Sequence, residues 1–466
     1  MFEKLQIKTG TYKIESLLIR TLTIYKDDMK RLSSNTSPKK SATPVYTQST
    51  DKENIQPINP TTEQPTTTQP QFSQRPSLDR SNVFPETPNA IQQLEATNLR
   101  LINPITKNIN PPLLTDDLYA QLVDSLSAQD FESAIRIAGV RGLQELYELT
   151  NQDQETLLIV ATKEEDTEVV KALLNKLSNP DSFAHIQDKY GCTALMYAVR
   201  TNNTELIKAL LSVVNDRDML ACIKDNYGHT ALMHATVADI PDSIKTLLSM
   251  VKDPEALAFM TDKAGMNALM LAAYRGCSES IIALLTSVRN GKNLAFMKNV
   301  SDFNALMLAA LGNHTESIKA LLDNINNPED LVYFSNNKGI TALMICCKNE
   351  NGFDFNPHGI ITMLDKVKKV RNPDSLIFLK DIDGMNAFII AAKENNDLAV
   401  ATLFNWATDK LALLKEKDKK EIITLNFLDP VLCAGLIRLV NGNRISVDAQ
   451  DRNEVLYLLQ QRAQFH

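Results

Sequence analysis

The chain has 466 residues, of which 44% are apolar, 23% charged and 6% aromatic, so a sizeable core or several units should be expected, with the composition of a soluble protein. Its formal charge of −7 is uneven: 14 basic residues face 10 acidic ones in 1–112, and 35 face 46 in the remainder. An acidic folded portion excludes phosphate-driven nucleic-acid binding as an expectation, and no stretch reaches the ~18 apolar residues of a membrane span.

The N-terminus runs from Met1-Phe2-Glu3-Lys4 into Leu17-Leu18-Ile19, broken at once by Arg20, so no secretory leader is expected. Within 1–27, Leu5-x-Ile7 and Tyr12-x-Ile14 alternate around Thr9-Gly10 and could pair as a small hairpin before a helix from Glu15. Isolated hairpins are marginal in water, which leaves this short segment open. Residues 28–112 differ from everything after them: from Ser33 to Pro88 the chain is built largely of Ser, Thr, Pro, Gln and Asn, and 1–112 holds twelve of the 19 prolines. Such a segment cannot bury enough apolar surface to offset its ordering entropy, and the composition predicts a disordered arm.

Residues 113–150 read as a worn N-terminal capping unit, with helix starts at Thr115-Asp116-Asp117 and Asp130-Phe131-Glu132 and a short third helix from Leu143 to Leu149. Beyond 150 the sequence repeats itself. Thr193-Ala194-Leu195-Met196, Thr230-Ala231-Leu232-Met233, Asn267-Ala268-Leu269-Met270, Asn304-Ala305-Leu306-Met307 and Thr341-Ala342-Leu343-Met344 are each 37 residues apart. One step back lies the degenerate Thr156-Leu157-Leu158-Ile159; one step forward, after 45 residues, lies Asn386-Ala387-Phe388-Ile389. The eight extra residues fit the stretch from Asn351 to Gly359. Seven copies in register make a repeat array over 151–417.

With each Thr or Asn as position zero, +1 to +6 are small and apolar, as in Ala305 to Ala310, and predict a short first helix. Position +9 is Asn202, Asp239, Gly276, Asn313 or Asn395, residues that accept a left-handed turn. Thr204-Glu205, Ser278-Glu279 and Thr315-Glu316 then predict the cap and acidic first turn of a second helix. Its apolar stripe is Ile207, Leu210 and Leu211 in one unit and Ile318, Leu321 and Leu322 in another. Asp-x-x-Gly-x-Thr/Asn stands before zero positions from Asp188 to Thr193, Asp225 to Thr230, Asp262 to Asn267 and Asp381 to Asn386, a turn in which Gly supplies positive φ and Asp bonds local backbone. Asp302 replaces Gly in one of these turns; Asp tolerates the left-handed region, so that turn should survive at a small cost. After the array, 418–466 reads as a helical C-terminal cap, with Asp429-Pro430 opening one helix and Asp451 to Arg462 forming another.

The pattern D-x-x-G-x-T-A-L-M-x-A-A…N-x-[TS]-E-x-x-x-A-L-L resembles the ankyrin repeat, with Ala-Leu-Met where that family usually has Pro-Leu-His. The resemblance implies an all-α solenoid of helix–turn–helix units used to bind proteins. The period departs from the family's 33, and the extra residues can be placed. Asn179-Pro180-Asp181, Asp253-Pro254-Glu255, Asn327-Pro328-Glu329 and Asn372-Pro373-Asp374 each read as N-cap, Pro at the first helical position and an acidic first turn. Apolar pairs follow: Leu257 with Met260, Leu294 with Met297, Leu331 with Phe334 and Leu376 with Leu379. The expected fold is thus an ankyrin-type solenoid with an extra short helix in each repeat.

The sequence carries no phosphate loop, dinucleotide fingerprint, H-E-x-x-H or G-x-S-x-G, so neither an enzyme nor a cofactor is expected. Cys192, Cys222, Cys277, Cys346, Cys347 and Cys433 form no C-x-x-C pair, and scattered thiols suit a reducing compartment, the cytoplasm or nucleus. His229 and His234 stand where other units have Met266 and Phe303 or Leu271 and Leu308. Repeat variation accounts for them, and no metal site is expected.

The array should offer an extended concave surface to one or more proteins, with the chain itself a monomer and neither nucleic acid nor membrane as partner. Position −1 carries Cys192, His229, Met266, Phe303, Ile340 and Met385. In the family this position lies near the loop tip and is usually polar, so the six define a largely apolar stripe. It is either a binding ridge or a surface covered by the extra short helix. Tyr190 and Tyr227 at −3, with Arg200, Tyr274 and Leu311 at +7, complete the expected anchors. In the arm, Ser37, Thr43 and Thr87, each followed by Pro, resemble sites of proline-directed kinases. Lys52-Glu53-Asn54 looks like the KEN degron, and Arg75-Pro76-Ser77-Leu78 matches the R-x-x-L core of a destruction box. These support an alternative reading, a cell-cycle-regulated protein whose arm is the working part and whose array is the targeting module.

Overall fold

A computed structural model of the chain describes residues 113–176, 179–348, 356–369 and 371–464. The expectations for 1–27 and for the arm 28–112, with Ser37, Thr43, Lys52, Glu53, Asn54, Arg75, Leu78 and Thr87, lie outside those residues. Among the described residues every regular element is helical, and the only β pairing is three isolated bridges, Thr150–Thr156, Ser335–Thr341 and Lys417–Ile423.

The repeat positions become three layers of helices. First helices run Leu157–Lys163, Ala194–Ala198, Ala231–Val237, Ala268–Arg275, Ala305–Leu311, Ala342–Cys347 and Ala387–Lys393. Thr or Asn at position zero sits in extended backbone, and in all but the Thr193 unit its side-chain oxygen accepts from the amide three residues on, as Asn304 does from Met307 at 2.9 Å. The Ala-rich faces are fully buried, so neighbouring first helices pack directly on one another. Cys346 and Cys347 stand at two of these small-residue positions and are buried likewise.

Second helices run Thr167–Lys176, Thr204–Ser212, Pro241–Met250, Ser278–Ser287, Thr315–Asp323, His358–Lys368 and Asp397–Trp406. Their predicted stripes, Ile207, Leu210, Leu211, Ile318, Leu321 and Leu322, are buried. The starts differ from expectation by one residue. Asn203, Cys277 and His314 take the cap position, with Thr204, Ser278 and Thr315 already helical, and of the three only Asn203 caps through its side chain. The preceding residue turns through the left-handed region at Asp239, Gly276, Asn313 and Asn395. Asn202 does not; there the Thr201 hydroxyl donates to Ala198 O at 2.8 Å and closes the shorter first helix instead.

The extra helix is present in every unit: Pro180–Ala184, Arg217–Cys222, Pro254–Phe259, Gly291–Phe296, Pro328–Val332, Asp374–Ile377 and Lys410–Lys415. Asn179 and Asp253 cap as expected, whereas Asn327 sits in left-handed backbone and Pro373 rather than Asn372 occupies the cap position. The acidic residue near each start does more than favour the helix dipole. Asp181 accepts from Asn215 N at 3.0 Å, Asp218 from Lys252 N at 2.7 Å and Asp374 from Thr408 N at 2.8 Å, and Glu255 likewise takes Arg289 N. Each link joins one unit to the next.

The N-terminal cap forms as Asp116–Ser127, Phe131–Ala138 and Leu143–Glu148, and the C-terminal cap as Pro430–Asn441 and Arg452–Ala463. In the last helix Val455 and Leu459 are buried, while Leu456 and Leu458 are only half-buried, as befits a terminal layer with one neighbour.

Candidate protein-binding face

Eight turns of one design project from the array. At position −5 Asn151, Asp188, Asp225, Asp262, Asn299, Asn336, Asp381 and Asp418 each accept, through one side-chain oxygen, from the amides two and four residues on. A short polar side chain thereby satisfies backbone donors that a tight turn leaves exposed. The turn at Asp418 belongs to the expected C-terminal cap; it lies 37 residues after Asp381, with Glu421 at positive φ where Gly384 stands. That spacing was the available signal for it.

The tips are joined by backbone. Lys189 N–H donates to Asp153 O at 2.9 Å, Asn226 to Tyr190 at 3.0 Å, Val300 to Ala264 at 3.1 Å, Ile382 to Lys338 at 3.0 Å and Lys419 to Asp383 at 2.9 Å. Ile382 and Lys338 keep this pairing although eight more residues separate them. At Asp302, φ is +64° and the carboxylate accepts from Asn337 N at 2.5 Å. The residue that departs from Gly supplies, from its side chain, an acceptor equivalent to the other tips' carbonyl. It also pairs with Lys298 at 2.8 Å, and these partners outweigh its burial to hold the carboxyl below the ordinary range.

This zipping decides where the predicted stripe lies. Cys192 and Met266 are buried, and His229, Phe303, Ile340 and Met385 are half-buried. The cover comes from the next turn: His229 Nε2 faces Asp262 Oδ2 at 3.5 Å, and Met266 Sδ accepts from Asn299 Nδ2 at 3.5 Å. Position −1 is therefore an inter-repeat contact rather than an open ridge. The flanking positions are the exposed ones. Tyr190, Tyr227 and Tyr274 are 47%, 69% and 50% exposed, and Arg200 and Leu311 also face solvent. Val300 and Ile382, at position −4 of later turns, are exposed as well. The apolar tip residues thus change register along the array, which hides them from a search at a single repeat position.

Polar side chains gather where the Thr193, Thr230 and Asn267 units meet. Tyr197 donates to Asp188 Oδ2 at 2.6 Å, and His234 Nε2 lies 3.0 Å from Asp225 Oδ2. Burial raises the Asp225 carboxyl, but the bond to His234 and the His229 and Tyr227 amides outweigh it and leave the group below the usual carboxylate range. Burial, with Asp188 and Asp225 beside it, pushes the Cys192 thiol up to about 12. A thiol held protonated is the reverse of an activated nucleophile.

Stacked units of two packed helices and a short third helix, each with a projecting turn, define a repeat protein. The chain carries ankyrin repeats: the family model described as ankyrin repeats matches in three copies over residues 135–218, 158–257 and 269–364. Ankyrin repeats generally mediate protein–protein interaction. Among solved structures, the chain is similar to the ankyrin repeat domain of Bcl-3, described as a unique member of the IkappaB protein family. The two are 19% identical with a TM-score of 0.42, over 52% of this chain and 95% of that one. It is also similar to EF0377, an ankyrin repeat protein, at 20% identity and a TM-score of 0.36, over 45% of this chain and 95% of that one. No curated protein matches the sequence. No helix among the described residues is long and apolar enough to cross a membrane.

Proposed function

We propose that the chain is a non-catalytic scaffold or adaptor that holds protein partners on its turn tips and first-helix ends. The observation that carries this reading is the exposure of Tyr190, Tyr227 and Tyr274, on a frame whose other large apolar side chains are mostly buried. Exposed tyrosines beside an arginine are the side chains that most often anchor an interface. Six unpaired, buried cysteines support a reducing compartment, and we place the protein in the cytoplasm, acting as a monomer.

The test is capture of proteins from a cell extract by the full chain and by Tyr190→Ala/Tyr227→Ala/Tyr274→Ala. Loss of the captured set with an unchanged melting temperature is expected, since exposed truncations away from special features usually stay within about 0.5 kcal/mol. An identical captured set would overturn the assignment of this face. The pair Met266→Asp and Phe303→Asp serves as contrast: Met266 is buried against the next turn, so this pair should lower the melting temperature.

A further inference from the structure

At one junction the repeat abandons apolar chemistry at several positions together. Cys192 Sγ, a carboxylate oxygen of Asp225 and a ring nitrogen of His234 all lie within 4.8 Å of one another. His229 Nδ1 is 3.8 Å from Asp225 Oδ2, and its Nε2 faces Asp262. Later units place Met266 or Phe303 at the position of His229, and Leu271 or Leu308 at that of His234. An apolar set would serve packing equally well there, and burying polar groups costs free energy unless something compensates it.

We propose that Cys192, Asp225 and His234 form a binding site for zinc(II), with the fourth position facing His229. Sulfur, imidazole nitrogen and carboxylate oxygen are the zinc donor set, and with the three atoms within 4.8 Å of one another they need only close in by about an ångström to share a tetrahedral ion. One thiolate and one carboxylate neutralise the divalent charge, so the ion with these ligands adds no net charge to the junction. The surroundings are arranged as metal sites require. One oxygen of Asp225 is fixed by the Tyr227 and His229 amides, both at 2.8 Å, which leaves Oδ2 for the ion. Asp262 beside His229 Nε2 would orient that ring with Nδ1 inward, as carboxylates orient histidine ligands. Side-chain exposures of 27% at His229 and 14% at His234 give the ion a way in. Binding displaces the Cys192 thiol proton to solvent, moves the His234 ring proton from Nε2 to Nδ1, and exchanges the His234–Asp225 hydrogen bond for a metal bond from each of the two side chains.

The ligands come from two adjacent units, so no compact spacing announces them. Cys222, nearer to the histidines in sequence, is buried in the short helix Arg217–Cys222. The expectation that repeat variation alone explains His229 and His234 missed Cys192, which reaches them only through stacking.

The full chain, stripped with a chelator, is titrated with cobalt(II) as a spectroscopic probe and then with zinc(II). One cobalt per chain should bind, giving thiolate-to-cobalt charge-transfer absorption that zinc abolishes, and zinc should raise the melting temperature. Cys192→Ala and His234→Ala should lose the band, Cys222→Ala should keep it, and His229→Ala should weaken binding by about tenfold. X-ray absorption on the zinc-loaded wild-type chain should find one sulfur with imidazole in the shell, a measurement that does not depend on any variant folding. Absence of stoichiometric binding, a shell without sulfur, or a band that survives Cys192→Ala would each overturn the proposal.

Discussion

Gly228→Ala tests the claim that the turn glycines answer to the neighbouring unit as well as to their own φ. Gly228 has φ of +89°, and an added Cβ would lie 2.9 Å from Lys263 N and 3.2 Å from the Asp262 backbone. Left-handed backbone costs a non-glycine residue about 1–2 kcal/mol. A contact this short against backbone cannot be relieved by rotating a side chain, and it adds about 1–3 kcal/mol of overpacking strain. The expected loss is therefore about 2–5 kcal/mol, the sum of the two effects. Gly139 is the control. Its φ is +67°, yet a Cβ there meets nothing within 4 Å, so Gly139→Ala should lose only the conformational part, about 1–2 kcal/mol. Urea unfolding followed by helical circular dichroism reads both, with the tertiary signal recorded in parallel because a repeat array can unfold in parts. Equal losses at the two sites would refute the reasoning, because strain from the neighbouring tip would then count for nothing.

Asn304 caps its helix through its oxygen while its Nδ2 is buried without a partner. Asn304→Thr keeps the cap and removes the orphaned donor, and should raise stability by about 1 kcal/mol; a fall in the urea midpoint would contradict this. Burial, reinforced by Asp429, raises the Asp397 carboxyl to about 6. Because the folded protein then binds the proton more tightly than the unfolded chain, this group favours folding most below about pH 4, and that contribution is lost as pH rises to about 6. Asp397→Asn should accordingly be more stable than the parent at pH 7–8, by up to about 3 kcal/mol, and the two unfolding curves should converge near pH 4. Burial pushes the Cys346 thiol up to about 12 and Cys347 well above its ordinary value. Neither should react with a maleimide at pH 8 until urea unfolds the array, and labelling at the rate of a free thiol would show that the first-helix layer is open.

The features visible in the sequence were those repeated at fixed spacing. Position zero, the Asp-x-x-Gly turn, the buried stripe of the second helix and the extra short helix each recur several times, so periodicity separates them from accident. What stayed hidden depends on the adjacent copy. Whether position −1 is open could not be settled from single units because its cover, Asp262 over His229 and Asn299 over Met266, comes from the next turn and not from the extra short helix. The acidic residues of the short helices read as dipole partners, while their bonds to Asn215, Lys252 and Thr408 required the stacking distance. Two helix starts slipped by one residue because the left-handed Gly276 and Asn313 place Cys277 and His314 at the cap, whatever the capping talent of Ser278 and Thr315, and at Asn203 the side chain itself takes the cap. Cys192 was separated from its partners by the same gap: chain proximity pointed to Cys222, spatial proximity to Asp225 and His234.

The Ile382–Lys338 link carries an implication for how such a protein can diverge. It matches the pairings between other tips even though the intervening stretch is longer by eight residues. The register of the turn tips is therefore indifferent to how many residues separate one first helix from the following second helix. Lineages could lengthen or trim that stretch without shifting the spacing between tips, whereas a single residue inserted within a tip would put the later tip residues out of step.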